Sequence, residues 1–317
     1  MSKISLSDKK IYLAGHRGLV GSAIHKALHE RGCERIITRT HSELDLREQS
    51  LVRDFFQQER PDVVFLAAAK VGGIVANDVY RGDFILENLE IQTNVISAAF
   101  KSGVKKLIFL GSSCIYPKMA PQPIAESSLL TGPLETTNDA YAVAKIAGLM
   151  LCKSLRKQYG VDYTSLMPTN MYGPGDNYDL QNSHVLPALI RKFHEAKVSG
   201  SNSVTLWGTG TPRREFMYSA DLADASIYCA ENYSEDDHIN IGSGQEVTIA
   251  ELAELIRDIT GYKGDIVYDR SKPDGTPRKL MDSTKLFEMG WRPKVSLKEG
   301  IRLAYEDFKS RNDQRRL

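Results

Sequence analysis

Two residues four positions apart, Tyr141 and Lys145, have the types and the spacing that acid/base chemistry at a carbonyl group requires. Residues at this spacing lie on one face of a helix. Because a lysine ammonium favours a nearby phenolate, we expect the pKa of Tyr141 to fall from about 10 toward neutral. Ser112 follows an apolar run and could hydrogen-bond to the same substrate oxygen. Ser112, Tyr141 and Lys145 therefore predict an acid/base set for hydride transfer at a carbon that bears oxygen.

A glycine-rich segment near the start of the chain adds weight to this prediction, since Tyr-x-x-x-Lys alone often occurs by chance. Gly15, Gly18 and Gly21 lie between an apolar run at 10–14 and a helical pattern at 22–30. Gly15 allows a tight turn, Gly18 allows the backbone to approach a pyrophosphate closely, and Gly21 allows the helix to pack closely on the strand. The helix N-terminus offers free N–H groups to the phosphates. The segment predicts a dinucleotide-binding turn.

The residues after the second predicted strand bear on the choice of dinucleotide. NAD-binding proteins usually place an acidic residue there to hold the ribose hydroxyls. This chain has Arg39 and His41 instead, and Arg17 lies in the glycine-rich segment. Two arginines without an acid favour a 2′-phosphate, and hence NADP rather than NAD. The alternative is that Arg39 is simply solvated and that Glu43 or Asp45 reaches the ribose.

Short apolar runs alternate with helical patterns along the first half of the chain, which predicts an α/β fold. We expect a doubly wound parallel sheet of the Rossmann type, with a smaller mixed α/β substrate lobe. Gly15, Ser112 and Pro168 all follow predicted strands. Ligands of such sheets bind at the carboxyl ends of the strands, so these residues should meet at one edge.

Two units are expected within this fold. Residues 1–170 should form the NADP-binding domain, and strands at about 215–242 should cross back into it. Residues 171–317 should form mainly the substrate-binding lobe. Within that lobe the runs 204–207 and 214–217 flank a Gly-Thr-Gly turn, which predicts a hairpin.

Composition excludes several other classes of protein. Lys and Arg number 41 against 40 for Asp and Glu, a net charge of +1, so no broad nucleic-acid or membrane-binding field is expected. The four cysteines are scattered without metal-binding spacing, which predicts no metal site and a reducing compartment. The longest apolar run, 63–69, is too short to cross a membrane. A cytoplasmic protein is the expectation. The cysteines are Cys33, Cys114, Cys152 and Cys229.

Several longer motifs together resemble the extended short-chain dehydrogenase/reductase superfamily and, within it, the GDP-L-fucose synthase family over essentially the whole chain. The motifs are Gly15-His16-Arg17-Gly18-Leu19-Val20-Gly21-Ser22-Ala23, Ala67-Ala68-Ala69-Lys70-Val71-Gly72-Gly73-Ile74, Gly111-Ser112-Ser113-Cys114-Ile115-Tyr116-Pro117, Tyr141-x-x-x-Lys145, Pro168-Thr169-Asn170-Met171-Tyr172-Gly173 and Lys272-Pro273-Asp274-Gly275-Thr276-Pro277-Arg278-Lys279. The resemblance implies a homodimeric NADPH enzyme, with the helices near 80–102 and 141–159 pairing with their copies. Its substrate would be GDP-4-keto-6-deoxy-D-mannose, which is epimerised at C3 and C5 and then reduced at C4.

The same resemblance assigns roles to the reactive residues. Protons next to the C4 ketone are acidic, and their removal and return on opposite faces need a base and an acid. The resemblance makes Cys114 the base and His184 the acid. Tyr141 would then protonate the C4 oxygen, and Lys145 would also hold the nicotinamide ribose. From position alone, Cys114 could equally be a buried apolar side chain and His184 a cap or surface residue.

The resemblance also implies the binding residues. Cofactor contacts are expected at Gly15, His16, Arg17, Gly18, Leu19, Val20, Gly21, Arg39, Leu110, Gly111, Ser112, Ser113, Tyr141, Lys145, Pro168, Thr169, Asn170, Met171 and His184. Substrate contacts are expected at Lys192, Trp207, Arg214, Asp274 and Lys279. Two positions depart from the family pattern, since Lys192 and His41 stand where arginine is usual. Trp207 could instead be a core residue, and the cations could be ordinary solvated surface.

Other functions remain open from the sequence. One is an NAD(P)-dependent sugar-nucleotide 4-epimerase or 4,6-dehydratase. Dehydratases usually carry an acid pair where this chain has Ser113 and Cys114, and a 4-epimerase needs no Cys/His pair. Another is a non-catalytic NADP-sensing regulator on the same fold, a class that tends to lose the Tyr or the Lys. Fold analogy alone does not decide between them.

Overall fold

A computed structural model describes residues 4–180, 182–272 and 274–314. The helices are α1 (Leu19–Glu30), α2 (Gln49–Glu59), α3 (Ile74–Val79), α4 (Arg81–Lys101), α5 (Asp139–Tyr159), α6 (Val185–Ser199), α7 (Ser219–Asn232), α8 (Ile249–Thr260), α9 (Thr284–Glu288) and α10 (Leu297–Gln314). The strands are β1 (Ile11–Ala14), β2 (Ile36–Ile37), β3 (Val63–Leu66), β4 (Lys106–Leu110), β5 (Asp162–Pro168), β6 (Asn170–Tyr172), β7 (Ser203–Trp207), β8 (Arg213–Tyr218), β9 (Ile239–Ile241), β10 (Glu246–Thr248), β11 (Asp265–Asp269) and β12 (Arg278–Lys279).

The main sheet has six strands in the order β2-β1-β3-β4-β5-β9, and every pairing is parallel. Strands β1, β3 and β4 are buried at every position, as expected of a parallel sheet covered by helices on both faces. The prediction of a doubly wound α/β sheet is confirmed. Strand β9 lies beyond residue 170 yet completes this sheet beside β5.

Helices cover the two faces of the main sheet with separate apolar clusters. Buried side chains of α2, α4 and α5 pack on one face, and those of α1 and α7 pack on the other. A third cluster lies between α6, α8 and α10 in the second lobe. The long helix expected near 80–102 is preceded by the short helix α3, and the two are separated by Tyr80.

The second lobe has its own small sheets, and their pairing corrects one prediction. Strands β7 and β8 do not form a hairpin. Strand β7 pairs in parallel with β11, whereas β8 pairs with β6, β10 and β12. The intervening turn does not reverse β7 onto β8, because the Gly208 N–H donates to the Asp269 carbonyl at 2.9 Å and extends the β7–β11 pairing. Pro212 then leads the chain into β8 on a different sheet.

In the part of the chain that the structure describes, no helix is both long enough and apolar enough to span a bilayer. The same residues contain no cluster of three or more His, Cys, Asp or Glu side chains suited to a metal ion.

Candidate active site

The glycine-rich turn joins β1 to α1 at the carboxyl edge of the main sheet. Gly15 has a φ of +87°, and a Cβ there would lie 2.7 Å from the Ala68 nitrogen. A Cβ on Gly21 would overlap the Gly15 carbonyl, whereas one on Gly18 would meet nothing closer than 3.5 Å. Gly15 and Gly21 are therefore required by the fold, and Gly18 leaves open space in front of the helix. That space fits the close approach of a pyrophosphate.

Other features of this turn fit the same group. Gly18 is the residue before α1 and makes no side-chain cap, so the first N–H groups of the helix that holds Leu19 and Val20 remain available to an anion. The Nδ1 atom of His16 is buried and has no hydrogen-bond partner among the described residues. Arg17 is exposed beside it. Burial, followed by the nearby Arg17 guanidinium, lowers the pKa of His16.

A cavity of about 400 Å³ continues from this turn along the ends of β1 and β3. It is lined by Gly15, Gly18, Arg39, His41, Leu44, Asp45, Leu46, Arg47, Ala67, Ala68, Ala69, Lys70, Glu87 and Ile91. Of these, Leu44, Leu46, Ala67 to Lys70, Glu87 and Ile91 were not predicted as cofactor contacts. For Ala67 to Lys70 the available signal was their position directly after strand β3, because ligands bind where parallel strands end. Leu44 and Leu46 lie in the loop after β2, and Glu87 and Ile91 lie on α4.

The charged groups of this cavity are largely paired with one another. Arg39 donates to Glu59 at 2.7 Å and lies over the Phe55 ring at 5.3 Å. Arg47 makes a two-pronged contact to Asp45, which lowers the pKa of Asp45 to about 2. Glu43 accepts from the Thr40 N–H and hydroxyl, both at 2.7 Å. The two acids considered as ribose ligands are thus already engaged, while the Arg39 guanidinium is fixed at the cavity wall.

The end of β4 presents the next group of predicted residues. The Gly111 N–H donates to the Leu166 carbonyl at 2.9 Å, and a Cβ at Gly111 would overlap the Met167 side chain. Ser113 to Ile115 form a single 3₁₀ turn, and the Ser112 hydroxyl accepts from the Cys114 N–H at 3.2 Å. Ser113 is buried, so the turn points Cys114 rather than Ser113 toward the cleft.

Tyr141 and Lys145 occupy the first two turns of α5, as the sequence predicts. The Tyr141 hydroxyl hydrogen-bonds to Ser112, and its ring meets the Phe84 ring edge-on at 6.3 Å. The Lys145 ammonium is buried and donates to the Leu110 carbonyl at 2.9 Å. Its nitrogen lies 5.8 Å from the centre of the Tyr141 ring.

The predicted fall in the pKa of Tyr141 is wrong for this structure. Loss of solvent raises the Tyr141 pKa above its usual value of 10, and the nearby Cys114 raises it further. Burial also lowers the pKa of Lys145 to about 7. Desolvation disfavours the charged form of each group, and it is the largest cause of both shifts. Tyr141 is therefore held as a phenol that can donate a proton.

The sulfur of Cys114 has two side-chain donors. The Asn138 amide donates to it at 3.4 Å, and the Lys279 ammonium donates to it at 3.5 Å. Arg214 also lies close enough for its charge to interact with Cys114. Cys114 is half-buried, whereas Cys33, Cys152 and Cys229 are buried. The structure thus distinguishes Cys114 from the other three thiols.

His184 lies near Lys279. It immediately precedes α6 and makes no side-chain cap. Although the His184 side chain is exposed, protein atoms of the cleft reduce its solvation, and the Lys279 ammonium lies near it; both effects lower the pKa of His184. Lys279 was predicted as a substrate contact, and the structure additionally brings its ammonium to 3.5 Å from the Cys114 sulfur and near His184.

The remaining substrate residues of the second lobe surround an exposed tryptophan. The ammonium groups of Lys192 and Lys272 each lie 5.7 Å from the centre of the Trp207 ring. Asp274 accepts from the Thr209 N–H at 2.7 Å and from its hydroxyl at 2.9 Å. Trp207 is therefore not a core residue. Lys272 and Thr209 were not predicted, and Pro273 of the same loop lies outside the described residues.

The segment after β5 holds the two sheets together. Pro168 ends β5, and the side chains of Thr169 and Asn170 both donate to the Glu215 carbonyl, at 3.2 and 2.8 Å. Met171 packs against the apolar cluster under α1 and α7. This segment passes from the main sheet to β6, so it forms one wall between the glycine-rich turn and the second lobe.

A Rossmann-type sheet, a glycine-rich turn and a Ser-Tyr-Lys set beside a half-buried cysteine define a nucleotide-dependent oxidoreductase of the short-chain type. The model of the NAD dependent epimerase/dehydratase family matches residues 11–242. GDP-L-fucose synthase 1 of Arabidopsis thaliana is 60% identical over 304 residues, which cover 95% of this chain and 94% of that protein.

Solved structures agree with this classification. The GDP-L-fucose synthetase of Naegleria fowleri bound to NADP superimposes with a TM-score of 0.90 at 28% identity, covering 98% of each chain. The GDP-mannoheptose C4 reductase of Campylobacter jejuni with NADP bound gives a TM-score of 0.88 at 41% identity, covering 96% of this chain and all of that one. The chain belongs to the NAD dependent epimerase/dehydratase family and, within it, to the GDP-L-fucose synthases. It is an enzyme of the class that uses a nicotinamide cofactor.

Proposed function

We propose that this chain converts GDP-4-keto-6-deoxy-D-mannose to GDP-L-fucose with NADPH, by epimerisation at C3 and C5 followed by reduction at C4. One observation carries the proposal. A polar chain of neighbours runs from Tyr141 through Ser112 and Cys114 to Lys279 and His184. A reductase requires the first part of this chain, and an epimerase requires a base and an acid. Both sets are contiguous here.

The residues divide the chemistry between them. Cys114 takes a carbon-bound proton next to the C4 ketone, and the electron pair moves onto the ketone oxygen as an enolate. Tyr141 and Ser112 hydrogen-bond to that oxygen, and His184 returns a proton from the opposite face. In the reductive step the Tyr141 hydroxyl gives its proton to the C4 oxygen. The reduced nicotinamide, when bound, supplies the hydride.

Several residues fit the cofactor. The turn at Gly18 would take the pyrophosphate, and the fixed guanidinium of Arg39 would face a ribose 2′-phosphate. Lys145 would hold the nicotinamide ribose from α5. The arginine and the engagement of Asp45 with Arg47 support NADPH rather than NADH. We expect Arg39→Ala to weaken NADPH binding about tenfold and to leave NADH binding within twofold. Equal losses for the two cofactors would contradict this assignment.

The second lobe would hold the GDP part of the substrate. Trp207 offers a flat ring to the base, and Asp274 offers carboxylate oxygens to its N–H groups. Lys192 and Arg214 lie near enough to supply charge to a diphosphate. Both are poorly solvated, and this desolvation lowers the pKa of each group, as in a site that exchanges water for an anionic ligand.

A homodimer is the second part of the proposal. Val143 and Met150 are exposed on α5 at a seven-residue spacing, and Leu86 is exposed on the adjoining α4. Seven residues are nearly two helical turns, so the two α5 side chains share a face. We expect Val143→Lys combined with Met150→Lys to yield a monomer in light scattering after size exclusion. Val198→Lys, on an exposed apolar residue of α6, is the matched control. A wild-type monomer would contradict the proposal.

The test of the reaction measures NADPH absorbance and solvent deuterium incorporation with GDP-4-keto-6-deoxy-D-mannose. We expect wild-type turnover, loss of NADPH oxidation in Tyr141→Phe, and loss of deuterium wash-in in Cys114→Ser. Cys152→Ser, at a buried thiol on α5, should behave as wild type. Absence of NADPH oxidation by folded protein that binds NADPH would overturn the proposal. Oxidation without deuterium wash-in would instead indicate a C4 reductase, such as the Campylobacter relative.

A further inference from the structure

The surroundings of the Cys114 sulfur could not be predicted from its position in the sequence. Two donors from distant parts of the chain reach it: Asn138 from the start of α5 and Lys279 from β12. One is neutral, and the other carries a full positive charge. Hydrogen bonds and cations stabilise negative charge on sulfur. We refer to Asn138 and Lys279 together as the sulfur donors.

The role of Asn138 is not explained by its place in the fold. It immediately precedes α5, where an asparagine commonly caps the helix, yet its side chain makes no capping hydrogen bond. Its Nδ2 donates to sulfur, and its Oδ1 is buried with no hydrogen-bond partner among the described residues. The amide is therefore oriented by Cys114 rather than by the helix terminus.

Lys279 is held in place by its strand. Strand β12 pairs in parallel with β8, with Lys279 opposite Arg214. Two residues later, the Met281 N–H donates to the buried carboxylate of Glu215 at 3.1 Å, which anchors the segment. Across the described ranges 4–180, 182–272 and 274–314, no carboxylate lies within 4.0 Å of the Lys279 ammonium. The ammonium beside the sulfur is thus not neutralised by an ion pair with any described carboxylate.

We propose that Lys279 and Asn138 are positioning residues that stabilise the thiolate form of Cys114, in which the sulfur can act as a base. This inference rests on the proposed epimerisation for its purpose, but not for its test. The thiol proton leaves to solvent, and the remaining sulfur lone pair then forms an S–H bond as the substrate C–H bond breaks. The electron pair of that C–H bond moves to the ketone oxygen. A thiol without such donors is a weak base at neutral pH.

Other charged groups also face this sulfur and must be considered. Arg214 on β8 adds a second positive charge, and the Tyr141 hydroxyl on α5 is neutral at neutral pH because burial raises its pKa. His184 also lies within the range of the Lys279 charge. Arg214 does not contact sulfur directly, so the larger effect is assigned to Lys279. The competing role for Lys279 is a contact to the substrate diphosphate alone.

The two roles differ in the absence of substrate, so the experiment uses full-length protein without it. Iodoacetamide alkylation of Cys114 is followed by mass spectrometry from pH 5 to 10, with Cys114→Ser identifying the labelled site. Where the thiol is mostly protonated, a rise of one in its pKa lowers the thiolate fraction about tenfold, so we expect Lys279→Met to slow alkylation at pH 7 by up to about tenfold. Lys279→Arg should restore much of the rate, and Asn138→Ala should slow it about threefold.

Lys192→Met is the matched control, since it removes a cation of the same cleft that lies against Trp207 rather than sulfur. It should leave alkylation within twofold of wild type. Melting temperatures confirm that each variant is folded, and Asn138→Ala tests the proposal independently if Lys279→Met is not. Equal alkylation rates in wild type and both variants would overturn it. A Lys279-dependent rate in a protein that turns over no GDP-sugar would overturn the proposed function alone.

Discussion

Glycines 18 and 21 stand three residues apart in one turn, and the structure predicts that a single added methyl group acts differently at each. A Cβ on Gly21 would overlap the Gly15 carbonyl, which is backbone and cannot rotate away. Overpacking of this kind costs about 1–3 kcal/mol. At roughly 2–4 °C per kcal/mol for a large domain, Gly21→Ala should lower the melting temperature by several degrees.

A Cβ on Gly18 meets only the Gly15 oxygen, at 3.5 Å, which is an ordinary contact. The φ of −79° at Gly18 is also open to alanine. Loss of glycine from this helix-capping position should cost no more than about 1 kcal/mol. The added methyl group would, however, occupy the space through which the backbone approaches a pyrophosphate. We therefore expect Gly18→Ala to melt near wild type and to bind NADPH at least tenfold more weakly.

The assay pairs differential scanning calorimetry with NADPH titration by fluorescence for both variants. We expect Gly21→Ala to have the lower melting temperature of the two variants. We expect Gly18→Ala to lose NADPH affinity although its melting temperature stays near that of wild type. Gly18→Ala that binds NADPH with wild-type affinity would refute the assignment of this turn to the pyrophosphate. If Gly21→Ala has the same melting temperature as wild type, the claim that the packing of β1 against α1 requires glycine is refuted.

Three further predictions concern individual side chains. Lys145 has a pKa of about 7 in the fold and near 10.4 when unfolded, so the free-energy cost of burying its charged form is fully present below pH 7 and disappears above pH 10. Lys145→Met should therefore melt at a higher temperature than wild type at pH 6–7, and the difference should shrink as the pH rises. A difference that does not depend on pH would contradict the burial argument. Trp207→Ala should raise KM for the GDP-sugar about tenfold with little change in kcat, because stacking of the guanine on the exposed ring contributes about 1–3 kcal/mol. An unchanged KM would mean that the guanine binds elsewhere. Glu215→Ala should lower the urea-unfolding free energy by about 1–3 kcal/mol, because it leaves the buried Met281 N–H unpaired and removes the acceptor of the Gly244 N–H. Glu288→Ala, at an exposed residue, is the control.

The main sheet could be predicted because its signals are local. Strands β1, β3 and β4 consist almost entirely of apolar residues, and each is followed or preceded by a helical pattern. Gly15 to Gly21 and Tyr141 to Lys145 are both short continuous segments of the sequence. Such patterns do not depend on what packs against them, so they are readable from the sequence alone.

The incorrect hairpin shows where local patterns fail. Strands β7 and β8 are close in sequence and separated by turn residues, which satisfies the usual hairpin signal. The partner that β7 actually takes, β11, begins with Asp265, far along the chain. Competition between a near and a distant partner is decided by packing under α6 and α8, and the sequence around the turn does not carry that information.

The error in the Tyr141 pKa has a different cause. The spacing does place an ammonium near a phenol, 5.8 Å from the ring centre, but it gives no information about burial. In the fold, Lys145 is buried and bonded to the Leu110 carbonyl, so its own charged form is disfavoured. An ammonium that titrates at about 7 cannot be assumed to lower the pKa of a neighbour.

The contact between Lys279 and Cys114 joins residues 165 positions apart, and it connects the two lobes functionally as well as structurally. Lys279 and Arg214 are opposite each other on β12 and β8, and Glu215, the next residue on β8, binds the backbone just beyond Lys279. One buried carboxylate thus fixes the strand that supplies charge to the cysteine and to the substrate cleft. Because the cysteine comes from the main sheet and the ammonium from the second lobe, the proposed base would be complete only when the lobes are packed together. The sequence identifies each residue by resemblance, but this dependence of one on the other arises only from the fold.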